Sequence, residues 1–211
     1  MSLPVLIVGG GGHAKVLIDA LRLRSARIIG IIEADPAKLG TEVLGVRVIG
    51  DDKTISEHAP GSLLLVNGIG SVHLPKARKA VFEKFKEKGF TFATVVHPSA
   101  VVAPDVVLGE GCQIMAGSVI QPGSRVGMNT IVNTNASVDH DCIINDHVHI
   151  SPGVTLSGGV HIGNEVHLGV GTTVIQGVTI GENSVVGAGS VVIANVLKNA
   201  EVMGVPAKIK R

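Results

Sequence analysis

The chain has 211 residues, of which 45% are hydrophobic and only 2% aromatic, and its formal net charge is +1. This charge offers no basic surface for nucleic acid, and no apolar stretch approaches the roughly 20 residues that cross a bilayer, so neither nucleic-acid binding nor membrane insertion is expected. The length fits one large or two small domains, and the apolar start runs into glycines without a basic leader, which indicates a cytoplasmic protein.

The chain opens with an apolar strand, four glycines and the start of an amphipathic helix, over residues 4–20. Gly9, Gly11 and Ala14 satisfy the loose G-x-G-x-x-A dinucleotide pattern, which is weak evidence by itself. Backbone N–H groups in such a loop approach an anion closely, and the helix N-terminus adds partial positive charge. The segment therefore predicts a site for a pyrophosphate.

The rest of the first half predicts a Rossmann-like half-domain over residues 1–95. A second strand at 27–32 leads into Asp35, which is our candidate for contact with a ribose hydroxyl. An equally good interpretation is that Asp35 is only a turn residue before Pro36. A third strand at 62–66 and a helix at 76–88 follow. The region is too short for a full dinucleotide domain, so we expect it to hold a nucleotide-linked molecule.

The second half repeats every six residues. Smaller side chains sit two residues before most of the repeated aliphatic positions, so large and small inward positions alternate. Sixteen consecutive hexads carry an aliphatic residue: Val102, Leu108, Ile114, Ile120, Val126, Val132, Val138, Ile144, Ile150, Leu156, Ile162, Leu168, Val174, Ile180, Val186 and Val192. This period predicts an all-β left-handed parallel β-helix over 96–196 with coils of eighteen residues, then a C-terminal tail at 197–211.

Positions within the hexad predict how other residues point. Four glycines, 109, 127, 163 and 181, share one column with Asn145, and we interpret that column as a corner with left-handed backbone. Cys112 and Cys142 occupy small inward positions and are expected to be reduced packing residues.

Five histidines fall in the middle coils, and three of them precede inward residues. His149, His161 and His167 should therefore face out of the prism, with His149 and His167 stacked on one face and His161 on another. His140 lies beside Asp139 and Asp141 at or near a corner. Three interpretations stay open: a general base that acts while a nucleophile attacks a thioester, zinc coordination between subunits, and plain solvation.

Four motifs together resemble the bacterial PglD-type nucleotide-sugar acetyltransferases and the related NeuD proteins of the hexapeptide-repeat family. They are the glycine loop at 9–15, the segment 97–100, the run 133–142 and the ending 204–208. The resemblance covers nearly the whole chain. It implies a homotrimer, acetyl-CoA as co-substrate in the groove between adjacent prisms, and an N-terminal domain that holds the nucleotide of the sugar.

The resemblance also implies roles for residues of the prism. His140 matches the general base, and Asp141 matches the acid that orients it. Asn133 and His149 match positions near the thioester, and Gly158 matches an N–H donor to the acetyl oxygen. Lys208, in the basic ending, would neutralise CoA phosphates, although such a tail is just as often only solvated.

In the first domain, the resemblance implies contact of Gly11, Gly12 and His13 with the sugar diphosphate and of Asp35 with the nucleoside. Gly70 belongs to the same predicted site. The chain then departs from many relatives, because Ser71, Val72 and His73 follow where those carry Asn or Asp and a further Asn. This departure leaves the base and sugar specificity open.

The predicted reaction is acetyl transfer from acetyl-CoA to the amine of a nucleotide-linked 4-amino-4,6-dideoxy sugar, by direct attack and without a metal. A UDP-linked sugar is favoured, followed by the GDP-perosamine type. Sialic acid O-acetylation and a non-catalytic sugar-nucleotide-binding protein are the alternatives. A zinc hydratase is a further alternative, but this function would give the glycine loop no role. The nucleotide, the sugar stereochemistry, the pathway and the organism are not specified by any motif.

Overall fold

The apolar runs of the first half form one five-stranded sheet. In the computed structural model, which describes residues 3–210, the strands are β1 (Val5–Val8), β2 (Ile28–Ile32), β3 (Glu42–Val43), β4 (Val46–Gly50) and β5 (Leu64–Asn67). Their order is β3-β4-β2-β1-β5, parallel except for β3. The predicted Rossmann-like half-domain is confirmed. Residues 1, 2 and 211, at the ends of the predicted first domain and tail, lie outside the described residues.

Helices cover both faces of this sheet. They are α1 (Gly12–Leu23), α2 (Asp52–Ile55) and α3 (Lys76–Glu87), with a short 3-10 turn at Pro36–Lys38. Buried residues of α1 recur at helical spacing and pack on one face. On the other face, Phe82 and Phe85 of α3 pack with Ile55 of α2. All strands that lead into helices end at one edge, where a ligand site is expected.

The β3–β4 hairpin is an element that the sequence analysis missed. Its two-residue turn places Leu44 at φ 48° and Gly45 at φ 72°. Such turns usually carry Asn-Gly or Asp-Gly, because these residues tolerate left-handed backbone better than leucine does. The unusual Leu44 hides the turn, and β3 adds an antiparallel edge strand to an otherwise parallel sheet.

The hexads of the second half form a three-sided prism with an unbroken register. From Val101–Val102 to Thr173–Val174, each strand pairs in parallel with the strand eighteen residues further along, as in Val119 with Ser137. The sixteen two-residue strands, β7 to β22, are Val101–Val102, Val107–Leu108, Gln113–Ile114, Val119–Ile120, Arg125–Val126, Ile131–Val132, Ser137–Val138, Ile143–Ile144, His149–Ile150, Thr155–Leu156, His161–Ile162, His167–Leu168, Thr173–Val174, Thr179–Ile180, Val185–Val186 and Val191–Val192. The predicted β-helix and its eighteen-residue coils are confirmed.

The three faces of the prism are named here by one member strand each. The first face contains His149–Ile150, the second contains Ser137–Val138, and the third contains Ile143–Ile144. The inward aliphatic and small side chains fill the interior, and Cys112 and Cys142 are buried and unbonded to each other, as predicted.

The predicted left-handed column was wrong. Residues 109, 127, 163 and 181 are not left-handed; a Cβ on Gly163, for example, would lie 2.5 Å from the backbone nitrogen of Glu182 in the next coil. These glycines allow close approach of stacked coils. The left-handed residues lie two positions later in the hexad and include Asn129, Asp141 and Gly171, with φ between 53° and 66°.

Both ends of the stack extend beyond the regular hexads. Strand β6 (Val95–Val96) pairs with Gln113–Ile114, so the first coil begins within the segment that leaves the α/β domain. At the other end, β23 (Glu201–Met203) joins the first face in parallel, and β24 (Lys208–Ile209) pairs with it antiparallel. The predicted tail therefore contains two paired strands. Among the described helices, none has the length and hydropathy to span a bilayer.

A buried arginine connects the two domains. Arg78 of α3 donates from Nε to the Asn129 carbonyl of the prism and from Nη1 to the carbonyls of Asn67 and Ile69, at 2.9–3.1 Å. Burial lowers the pKa of this guanidinium to about 9. Because Asn67 also donates to the Asn129 side chain, the loop after β5 is held against the first face.

Candidate active site

A cleft of about 840 Å³ lies where the sheet edge meets the prism. Gly11, Gly12, His13 and Gly70, all predicted to bind the nucleotide sugar, line it. Asn133 and His149, predicted to lie near the thioester, line it as well. The fold therefore brings these six residues into one cavity within a single chain.

The glycine loop presents backbone N–H groups to this cleft. Gly11 is the N-cap of α1 and makes no side-chain capping bond, so the first turn of a twelve-residue helix is open to an anion. Gly68 lets the β5 loop approach β1, because a Cβ there would collide with the carbonyl of Gly9. The arrangement can bind a diphosphate through N–H groups and the helix dipole.

Glu33 and Asp52, but not Asp35, are acids that line the cleft, and Glu33 is the one that contacts the glycine loop. Glu33 directly follows β2, and its carboxylate accepts from the Gly10 N–H at 2.9 Å and from Lys38 Nζ at 3.1 Å. Burial raises the pKa of Glu33, but these two donors hold it below its ordinary value. Asp35 caps the 3-10 turn through the Ala37 N–H and lines a neighbouring pocket instead. The sequence could have indicated Glu33 by its position, because it is the first residue after the strand.

His13 is held neutral at the junction of the two domains. Its Nε2 lies 2.6 Å from Gln113 Oε1 on the first face, and Gln113 in turn donates to the Asn67 carbonyl. Burial, and after it the charge of Arg78, lowers the pKa of His13 to about 4. Since Gln113 was not singled out from the sequence, this contact between domains is a finding of the structure.

His149 points outward from the prism, as predicted, but the α/β domain covers it. Its Nδ1 lies 2.7 Å from Ser71 Oγ and its Nε2 lies 3.2 Å from Asn133 Nδ2. The ring of His167 stands edge-on at 5.1 Å, as their predicted stacking on one face requires. Burial, followed by the repulsion from His167, lowers the pKa of His149 to about 3.

His140 belongs to a second, exposed group. Its Nδ1 lies 2.8 Å from Asp141 Oδ2, and its backbone N–H donates to Asp139. The hydrogen bond that the His140 ring donates to Asp141 and the charge of Asp139 raise the pKa of His140. Its Nε2 lies over Gly158 of the next coil, where a Cβ would be only 2.5 Å away. His140, Asp141 and Gly158 thus form one local unit, in which the His140 Nε2 has no hydrogen-bond partner among residues 3–210.

The two groups lie on opposite edges of the second face. Asn133 of the cleft follows a strand of the first face, whereas His140 lies between strands of the second and third faces. Lys208 lies apart from both, exposed on β24 at the end of the stack. One chain therefore does not bring His140 to its own cleft.

No cluster of three or more histidine, cysteine, aspartate or glutamate side chains suited to a metal ion occurs within residues 3–210.

Comparisons with known proteins match both domains. A family model described as the PglD N-terminal domain matches residues 4–85, and one described as bacterial transferase hexapeptide (six repeats) matches residues 159–194. No curated protein matches the chain.

Several solved structures are similar over their full length. A mutant of perosamine N-acetyltransferase from Caulobacter crescentus, in complex with CoA and GDP-perosamine, is 43% identical, with 100% of each chain covered and a TM-score of 0.90. The acetyltransferase domain of PglB from Neisseria gonorrhoeae, in complex with acetyl coenzyme A, is 33% identical, with 100% of each chain covered and a TM-score of 0.91.

Proposed function

Because the chain belongs to the PglD-like family of hexapeptide-repeat sugar N-acetyltransferases, we propose that it transfers acetyl from acetyl-CoA to the amine of a nucleotide-linked 4-amino-4,6-dideoxy sugar. The observation that carries this proposal is the pair of sites described above. One is a cleft suited to a nucleoside diphosphate, and the other is a histidine with a free nitrogen beside a carboxylate.

A GDP-linked sugar of the perosamine type is the preferred acceptor. The sequence alone favoured UDP, with the GDP-perosamine type second. The relative that is 43% identical over the whole chain holds GDP-perosamine, and this similarity supports the reverse order. In the cleft, the diphosphate would lie at Gly11 and Gly12, with Glu33 and Lys38 toward the nucleoside.

His140 acts as the general base. With Nδ1–H donated to Asp141, its Nε2 takes a proton from the attacking amine while the amine nitrogen bonds to the thioester carbonyl carbon. The C–S bond then breaks and CoA leaves as thiolate. Within the described residues the Gly158 N–H has no hydrogen-bond acceptor, so it is available to the acetyl oxygen as negative charge develops. General-base catalysis of this kind contributes about 10²–10⁴-fold.

The complete site forms between two chains of a homotrimer. His140 and the cleft lie on opposite edges of the second face, so a neighbouring prism must supply the His140 that meets each cleft. Exposed Val101, Ile175 and Ile193 lie along the second face and the corner where His140 lies, and association would remove them from water. Acetyl-CoA would then lie in the groove between prisms.

The test is release of CoA thiol from acetyl-CoA with GDP-, UDP- and dTDP-linked 4-amino-4,6-dideoxy sugars and with free and CMP-linked sialic acids. Turnover on one amino sugar, reduced by about 10²-fold or more in His140→Ala, is the expected result. Turnover restricted to sialic acids would establish O-acetylation instead. Tight binding of a nucleotide sugar without turnover on any acceptor would support the non-catalytic alternative.

A further inference from the structure

The hydrogen bonds around His149 determine which of its ring nitrogens carries the proton. Asn133 Oδ1 accepts the Thr134 N–H at 2.8 Å, so the amide group of Asn133 turns its Nδ2 toward His149. Since Nδ2 can only donate, Nε2 of His149 must accept. The neutral ring therefore carries its hydrogen on Nδ1 and donates it to Ser71 Oγ.

This leaves the hydroxyl hydrogen of Ser71 without an assigned acceptor. Ser71 Oγ already receives the His149 proton, and in the described part of the chain it has no other partner. Ser71 lines the cleft. A hydroxyl that accepts one bond becomes a better donor for the next, because chains of hydrogen bonds polarise one another.

We infer that Ser71, oriented by Asn133 through His149, is a specificity residue that donates a hydrogen bond to a hydroxyl oxygen of the acceptor hexose. The inference rests on the proposed function and refines it. It defines one contact at the sugar end of the cleft.

The order of groups along the cleft indicates that Ser71 contacts the hexose rather than the nucleoside or the diphosphate of the ligand. Glu33 and Lys38 lie at the β2 end, and the open turn of α1 lies at the glycine loop. Ser71 lies toward the prism, where it contacts His149, which in turn contacts Asn133. A nucleotide sugar whose diphosphate occupies the glycine loop therefore directs its hexose toward Ser71.

Binding experiments separate the sugar contact from the nucleotide contacts. Calorimetric titration with GDP and with the GDP-linked 4-amino-4,6-dideoxy sugar compares wild type, Ser71→Ala, Ser71→Thr and the exposed control Ser56→Ala. We expect Ser71→Ala to weaken binding of the nucleotide sugar about 5- to 30-fold and to leave GDP binding unchanged. Ser71→Thr keeps the hydroxyl and should bind like wild type.

Equal weakening of GDP and nucleotide sugar would overturn the inference, since the contact would then be to the diphosphate or to the fold. So would unchanged binding of both. If no nucleotide or nucleotide sugar binds wild type at all, the proposed function fails first, and that outcome is distinct.

A spectroscopic measurement tests the orientation without ligand. Nitrogen-15 NMR of histidine-labelled protein, assigned with His149→Phe, should give the Nδ1–H tautomer for His149 at neutral pH. Observation of the Nε2–H tautomer would show that the Ser71 hydroxyl donates to His149 Nδ1, and this would contradict its proposed role as a donor to the sugar.

Discussion

The side chain of His140 occupies the space that a Cβ on residue 158 would need. Gly158→Ala would place that carbon 2.5 Å from Nε2, so the ring must swing away from its position. Because the site is exposed, the variant should fold, and we expect kcat to fall about 10²-fold or more as the base loses alignment.

A double-mutant cycle supplies the control for this prediction. In a His140→Ala background the ring is absent, and Gly158→Ala should cost little further activity. An equal loss in both backgrounds would show that the alanine acts on something other than the ring, such as the N–H proposed to meet the acetyl oxygen.

Asp141 sets both the orientation of His140 and the pH at which it works. Its carboxylate raises the pKa of His140, so the base is protonated and inactive at low pH and becomes active as the pH rises. In Asp141→Asn the pKa falls toward its ordinary value, and we expect the acidic limb of kcat/KM to shift to lower pH. The plateau should fall about 10- to 100-fold, because the carboxylate no longer holds Nδ1–H.

Asparagine is a suitable replacement because residue 141 has φ 58°, and asparagine occupies the same left-handed position at 129, 135 and 183. The measurement is a pH–rate profile of both proteins. An unmoved acidic limb would assign the titrating group to a residue other than His140.

Individual site residues were predictable where the hexad fixes direction and less so elsewhere. The outward direction of His149 followed from strand alternation, but its burial depends on the α/β domain, whose contacts with the prism are made across long sequence separations. Asp35 and Glu33 are two residues apart on one turn. Only their hydrogen bonds show that Asp35 caps the 3-10 turn and that Glu33 contacts the glycine loop.

At the scale of the coil, two glycine columns have different structural requirements. Gly163 is packed against the backbone of the next coil, whereas Gly171 has φ 66° and open space around its missing Cβ. We expect Gly163→Ala to lower stability by about 1–3 kcal/mol through overpacking. Gly171→Asn should be nearly neutral, because asparagine tolerates that backbone.

Thermal unfolding of the two variants checks this distinction. A loss of stability in Gly171→Asn equal to that in Gly163→Ala would contradict the separation of the columns. Such a result would support the interpretation made from the sequence, in which the Gly163 column forms the left-handed corner.

Elements were predictable in proportion to how strictly their pattern repeats. The hexads predicted the sixteen strands β7 to β22, since only an aliphatic or small side chain fits the interior of the prism, but not β6 and β23 at the two ends of the stack. The β3–β4 hairpin escaped prediction because Leu44 occupies a position that the usual turn signal assigns to asparagine or aspartate. Its stability comes from pairing with β2, a tertiary contact.

At the scale of the whole molecule, the separated half-sites predict complementation between chains. Gly12→Asp adds negative charge where the diphosphate would bind, and no atom lies within 4 Å of the new Cβ, so the chain should fold. We expect Gly12→Asp and His140→Ala to be inactive as separate proteins. Mixed trimers should regain about one third of wild-type activity, since in each of them one of the three interfaces joins an intact cleft to a neighbour that carries His140.

Co-expression of the two chains with different tags, followed by tandem purification and the thiol-release assay, makes the measurement. Separately purified and mixed proteins that have not exchanged chains serve as the control. Mixed trimers without activity would place both half-sites of each reaction within one chain.

The unbroken register of eighteen residues restricts how genes for such a prism can change in length. A deletion of six residues would preserve the repeat, yet it would turn everything downstream by one face, and between residues 140 and 158 it would remove Gly158 from its place next to His140. Only gains or losses of eighteen codons leave stacked residues in the same column. The prism should therefore diverge mainly by substitution, while changes of length accumulate at its two ends and in the α/β domain.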